Sequence, residues 1–192
     1  MAVTFSRKEQ IEKTATALFK SRGFAATSMR DLANALGIEA ASIYSHIKSK
    51  EEILQRVCFR MAKEFFEAVE NADTPDAGAS ENLRQVIQAH VKVLTRDTEA
   101  SAVFLNEWRH MSEPFLSDFL QLRDQYENRF RSIVRTGINT GEFAVPDEKF
   151  AVLTILSSLN WLHTWYKPEG KMKPEEIAAN LAIMLLNGLR QA

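Results

Sequence analysis

Turn-makers are scarce in this sequence: 7 glycines and 5 prolines among 192 residues. That leaves little material for tight strand connections and argues against a many-stranded fold. Cysteine is scarcer still. The lone Cys58 excludes an intrachain disulfide and a cysteine-based zinc cluster. Its surroundings, "ILQRVCFRMAKEFF", read as an apolar helix face on which it serves as a small packing residue. No segment approaches the ~20 unbroken apolar residues of a membrane-spanning helix. The start, "MAVTFSRKEQ", lacks the apolar run of a signal peptide, so a cytoplasmic protein with no membrane partner is expected. Catalytic signatures are missing too. There is no Gly-rich phosphate loop, no G-x-S-x-G elbow and no H-E-x-x-H. Glu107 and His110 form one E-x-x-H pair, whereas a di-iron helical bundle needs two. Neither an enzyme nor a cofactor or metal site is expected.

What is present is helical periodicity along nearly the whole chain, with no convincing period of two. Apolar residues at helical spacing and flanking stop signals predict about nine helices, hence an all-α protein. The spans are about 7–22, 28–37, 40–47, 50–70, 81–96, 101–110, 114–140, 147–166 and 174–190. Ser28, three residues before Asp31, is a capping-box-like start, and Gly23 and Gly37 are helix stops. Charge is unevenly spread. Residues 1–56 hold nine Lys or Arg against six Asp or Glu, and the remainder holds 15 against 19. A basic head on an acidic body suggests that the head alone meets a polyanion.

The stretch "LGIEAASIYSHIKSK" is poorly equipped for packing. Ile43 and Ile47, four apart with Ala40 one turn before, give its short helix a buried face. Ser42, Ser45 and His46 then point outward, with Ala41 and Tyr44 at the flanks. Two short helices joined by a Gly-containing turn, the second exposing small polar groups, describe a helix-turn-helix. A face pared down in this way suits the DNA major groove, where bulk would hold the backbone off while hydroxyls and methyls reach base edges. Glu39, where Ser, Thr or Asp would cap better, leaves this helix prone to fray.

The head resembles the N-terminal domain of the TetR family of bacterial transcriptional repressors. The likeness rests on Phe19, Gly23-Phe24, Thr27-Ser28, Leu32-Ala33, Leu36-Gly37-Ile38, Ile43-Tyr44 and Lys48-Ser49-Lys50-Glu51. The resemblance implies base-edge contacts from Ala40, Ala41, Ser42, Ser45 and His46, and a base or phosphate contact from Arg30. It implies phosphate contacts from Thr27, Ser28, Tyr44 and Lys50. It also implies two domains sharing a helix: residues 1–50 for DNA binding, and residues 51–192 for ligand binding and dimerisation.

In the body, "AVLTILSSLNWL" and "EEIAANLAIMLLNGL" carry more than one apolar stripe and so need more than one neighbour. A homodimer is the simplest answer, and it would set two heads on a palindromic operator. The wording "EWRHM", "GEF" and "NWLHTWYKPEG" resembles the subgroup of the family that responds to acyl-coenzyme A thioesters. The likeness implies a ligand site drawn from Phe104, Trp108, Arg109, Tyr126, Asn160, Trp161 and Trp165. The expected function is thus a repressor released from DNA by an acyl-coenzyme A effector. The alternative is control of an efflux gene by lipophilic drugs.

Overall fold

The structure, a computed structural model, describes residues 6–189. Among these residues there is no strand. Ten α-helices follow one another: α1 (Arg7–Arg22), α2 (Met29–Leu36), α3 (Ala40–Tyr44), α4 (Lys50–Ala72), α5 (Ala79–Arg96), α6 (Thr98–Asn106), α7 (Phe115–Thr140), α8 (Glu148–Asn160), α9 (Leu162–Trp165) and α10 (Pro174–Leu189). The helices group into two units that do not follow chain order. One is Met1–Ala62 with Glu99–Leu120, and the other is Lys63–Thr98 with Gln121–Ala192.

In the first unit, local sequence signals set the helix ends. Ser6 and Glu9 form a capping box at α1, and Ser28 and Asp31 form another at α2. The Ser28 hydroxyl accepts the Asp31 N–H, and the Asp31 carboxylate accepts the Ser28 N–H at 2.8 Å. The two hydrogen bonds satisfy donors that an open helix end would leave bare. The Ser28 hydroxyl, which also donates to the Asp31 carboxylate, and then the Ser28 N–H hold that carboxyl below its ordinary range. At the far end of α2, Gly37 adopts φ +65°. Its N–H donates to Asn34 O (3.2 Å) and that of Ile38 to Ala33 O (3.1 Å), a left-handed stop that favours glycine. Ile11, Phe19, Leu32, Ile43 and Ile47 bury their side chains together with the start of α4. α3 lacks a side-chain cap at Glu39, as its sequence suggests.

The second unit is organised by α5, whose Leu83, Val86, Ile87 and Leu94 are buried, packed chiefly on α10. α10 turns Ile177, Ala178, Ala182, Leu186 and Leu189 inward. α5 starts after Gly78, which offers no side-chain cap. The Glu142 carboxylate takes over that role, accepting the N–H groups of Ala79 (2.8 Å) and Ser80 (2.9 Å), which lowers its pKa. Gly137 permits the close approach of Phe143, since a Cβ there would lie 2.1 Å from the ring.

Three helix spans differ from the sequence reading. The span 147–166 breaks at Trp161, where the Thr164 N–H reaches back only three residues, to Trp161 O (3.1 Å), and tightens the helix. The expected helix 101–110 starts earlier and ends at Asn106. A 3₁₀ turn at Trp108–His110 follows, built on the same three-residue bonds. α3 is one turn shorter than expected, ending at Tyr44 with Ser45 as its C-terminal cap.

Candidate nucleic-acid interface and effector site

α3 buries Ile43 and leaves Ala41, Ser42 and Tyr44 exposed, with Ala40 half-buried, and Ser45 and His46, just past its end, are exposed as well. The apolar anchor and the pared-down outer face therefore lie on opposite sides of a five-residue helix, as their spacing implies. Ser45 Oγ donates to Ser42 O (2.7 Å). Arg30 and Ser28 are also exposed, at α2 and its cap.

Two residues expected on phosphates have a different local occupation. Thr27 is buried, and its hydroxyl donates to Gly23 O at 2.9 Å. The Lys50 ammonium donates to Phe24 O (2.8 Å) and Thr27 O (2.9 Å) and lies 4.3 Å from the centre of the Phe24 ring. Both side chains are spent on the turn between α1 and α2, because the carbonyls there have no helical partner. They shape the reading head from within. Arg56 and Arg60, further along α4, are likewise engaged, both with Glu12 (3.0 and 3.4 Å).

The residues proposed for a ligand fall into groups. In the first unit, Phe104 and Trp108 pack on Phe119 at ring distances of 5.5 and 6.0 Å. The exposed Arg109 guanidinium lies 4.4 Å from the Trp108 ring centre. Cys58 is fully buried in the same unit. Burial, with the Glu107 charge adding to it, pushes its thiol up to about 12, which leaves it inert as a nucleophile.

In the second unit, Tyr126 joins a group the sequence did not single out: His90, Phe65, Phe66 and Phe130. Tyr126 Oη and His90 Nδ1 are 2.8 Å apart, and the Phe65 ring lies 4.7 Å from the imidazole. His90 is 2 % exposed, and burial pushes its pKa down to about 3, with the Asn160 side chain weakly opposing. Burial also raises that of Tyr126. With both groups neutral, one hydrogen bond joins them. Nε2 of His90 has no partner at hydrogen-bond geometry, although Asn160 is near. The signal for this residue was its position on an otherwise apolar stripe with Val86, Ile87 and Leu94. A cleft of about 110 Å³ lies elsewhere in the unit, lined by Asp73, Ala79, Asn82, Arg129, Ser132, Ile133 and Thr136. It is too small for a cofactor-sized ligand.

Trp161 and Trp165 lie outside that cluster, in the open. Trp161 is 64 % exposed and continues a stripe along α8 with Phe150 (70 %), Leu153 and Ser157. On the neighbouring α10, Met184 (73 %) and, less fully, Ile183 (51 %) are also exposed. The two stripes expected on α10 are not separated as such: the buried row of Ile177, Ala178, Ala182, Leu186 and Leu189 takes residues from both, and Ile183 and Met184 stay exposed.

Comparison with known proteins decides what these elements are. Residues 11–57 match the model of the bacterial regulatory proteins of the tetR family, and residues 76–189 match a tetracyclin repressor-like C-terminal domain. The chain belongs to the TetR family. It is a helix-turn-helix transcriptional regulator, with α2 and α3 as the motif. The repressor KstR2 of Mycolicibacterium smegmatis is 24% identical over 97% of this chain and 92% of its own. The fatty acid metabolism regulator of Bacillus subtilis is 24% identical over 94% of each chain. A solved structure of AibR with isovaleryl coenzyme A and operator DNA superposes with a TM-score of 0.82, at 24% identity, covering 94% of this chain and 98% of that one. The TetR models span most of both units, so regulation is the activity that the family assigns. Among the described residues no helix is long and apolar enough to cross a membrane, and no group of three or more His, Cys, Asp or Glu could hold a metal ion. Glu107 and His110 do meet, at 3.5 Å, but both face Phe24.

Proposed function

We propose that this TetR regulator is a dimeric repressor that lets go of its operator when an acyl-coenzyme A thioester binds. In this reading residues 1–50 bind DNA and residues 51–192 bind the effector and form the dimer. The observation that carries the DNA half is the outer face of α3. Ala41, Ser42, Ser45 and His46 project methyls, hydroxyls and an imidazole, all short enough to let the helix settle in the major groove. Ala40 borders that face, Tyr44, Ser28 and Arg30 flank it toward phosphates, and Thr27 and Lys50 hold the turn that aims it.

The bare stripes of α8 and α10 supply the dimer. Two neighbouring helices, each with an uncovered apolar row, offer a surface that a two-fold axis can bury against itself. Trp161 and Trp165 serve that face rather than the effector.

For the effector, the support is twofold. A protein of the same fold binds isovaleryl coenzyme A, and the second unit encloses a neutral His90–Tyr126 pair among phenylalanines. Those rings are apolar surface of the kind an acyl chain would pack on, while a neutral imidazole can hydrogen-bond a carbonyl without demanding a charge. Tyr126 and Asn160 belong to this group, and Phe104, Trp108 and Arg109 form a separate aromatic and cationic one. A ligand releases DNA only if it binds the DNA-incompetent state more tightly.

The test is a gel shift on the DNA upstream of the protein's own coding sequence, titrated with acyl-coenzyme A species, matched free acids and cationic lipophilic dyes. Release by thioesters at micromolar levels, with the free acids inactive, is expected. Release by dyes alone would replace the effector class and leave the repressor standing. Failure to bind any duplex from the neighbouring promoters would remove the repressor reading itself.

A further inference from the structure

Phe24 closes the turn between α1 and α2, and both of its backbone groups are held by charged side chains from elsewhere in the first unit. Its N–H donates to Glu107 Oε2 (3.1 Å), 83 residues downstream. Its carbonyl accepts the Lys50 ammonium (2.8 Å) and the Thr27 N–H (3.2 Å). An anion at the N–H and a cation at the C=O both follow the dipole of the backbone they touch, and charge-assisted bonds of this kind are among the stronger ones. The ring is gripped as well. It lies edge-on to Phe19 (5.1 Å), stacked by His110 (5.2 Å, 23° between planes) and beneath the Lys50 ammonium. A second tether runs alongside, the Ser112 N–H donating to Glu51 Oε1 (2.7 Å) in the first turn of α4.

The stretch from Glu107 to Ser112 follows directly on α6. It therefore clasps both hinges of the reading head, namely the turn leading through Thr27 to the cap of α2 and the start of α4 that leaves α3. Phe24 is buried, so its N–H would cost free energy without an acceptor. No atom nearer in sequence supplies one in the structure. Glu107 reaches it only because the chain ends α6 at Asn106 and tightens into the 3₁₀ turn.

We propose that Glu107 is a positioning residue for operator binding, fixing the α1–α2 turn against the end of α6 so that α2 and α3 meet DNA in one orientation. This rests on the repressor reading above. Because the end of α6 and the head share this bond, ordering of the head on DNA should be felt in the exchange of residues 99–106.

Two conservative variants separate reach from charge. Glu107→Gln keeps an acceptor oxygen at the same length and loses the charge, while Glu107→Asp keeps the charge and falls one methylene short. A duplex selected from a random pool serves as the probe for full-length protein. Positioning predicts that Glu107→Asp weakens duplex binding about tenfold with an unchanged salt slope, and that Glu107→Gln stays within about threefold of wild type. Hydrogen exchange gives the second readout. Adding the duplex to wild type slows exchange along residues 99–106, and in Glu107→Asp that response is lost while the head is still protected. The opposite ranking, with Glu107→Asp like wild type and Glu107→Gln altered, would assign Glu107 a purely electrostatic role. Equal affinity and equal exchange in all three proteins would also overturn the proposal. Failure of wild type to select any duplex would overturn the repressor reading and this one with it. In the free protein, the exchange rate of the Phe24 amide, faster in Glu107→Asp, reports the clasp separately.

Discussion

Two helical surfaces of this protein lie open, and they are built on opposite principles. The outer face of α3 is small and hydroxylated, bearing Ala41, Ser42 and Ser45 beside His46. The outer face of α8 and α10 is large and apolar, bearing Phe150, Trp161, Ile183 and Met184. Each would be a liability in isolation. The first buries too little to justify a helix of its own, and the second exposes more apolar surface than a lone soluble chain tolerates well. Their difference fits two different kinds of partner. A polar, heavily hydrated groove rewards short side chains that can hydrogen-bond at close range. A second protein surface rewards area removed from water. On this contrast rests the proposal that DNA meets one end of the sequence and a second copy the other.

The sharpest way to break this comparison is a charge on the apolar face. Met184→Asp leaves a single chain folded, because residue 184 is already exposed, but it sets an unpaired carboxylate in a dry interface at a cost of several kcal/mol, roughly a thousandfold in dimer affinity. Light scattering should show a monomer with unchanged helical circular dichroism. A persistent dimer would place the interface elsewhere.

The small face predicts a gentler and more selective effect. Ser42→Ala or His46→Ala should cost ~1–3 kcal/mol on the preferred duplex and much less on others, changing the order of preference in a competition assay. Uniform loss across sequences would mean that these side chains do not read bases.

Open and closed histidines offer a third contrast. His46 is exposed, whereas His90 is buried with its pKa pushed down to about 3. Unfolded, His90 titrates near 6.5. As pH falls from 6.5 toward 3 the unfolded chain takes up a proton that the folded chain refuses. The stability is fully present above 6.5 and drains away below it, at about 1.4 kcal/mol per pH unit. Glu142 and Glu148, whose carboxyls are held low by hydrogen bonds, the former from the Ser80 and Ala79 backbone and the latter from Arg135, add their loss only below about 4.5. Urea melts between pH 6.5 and 5 therefore report His90, and His90→Gln should flatten the curve there. A wild-type curve already flat over that window would show the imidazole to be hydrated.

The smallest effect is one of salt. Arg30→Ala should reduce the slope of log affinity against log salt by about one, the signature of a single phosphate. Lys50→Met should leave that slope unchanged while lowering the melting temperature of the head, since its ammonium is occupied by Phe24 and Thr27 carbonyls. A slope that falls by one in Lys50→Met would return the lysine to the phosphates.

What the sequence determined by itself is whatever depends on neighbours along the chain. The capping box at Ser28, the stops at Gly23 and Gly37, and the division of α3 into an Ile43 side and a Ser42 side all follow from spacing, because helix geometry converts spacing into direction. The family could be named from those same residues. Tertiary structure alone decided how partners distant in sequence are shared out. Lys50 resembles a phosphate ligand in sequence, yet three-dimensional packing brings the turn carbonyls of Phe24 and Thr27 to its ammonium. Glu107 and His110, half of a metal motif by spacing, are turned onto Phe24. His90, a scattered histidine in sequence, becomes the polar centre of an aromatic cluster once α4, α5 and α7 bring Phe65, Tyr126 and Phe130 around it. Periodicity records which side of a helix is buried, but a buried polar group takes its role from whichever partner satisfies it, and that partner is fixed only when the helices pack.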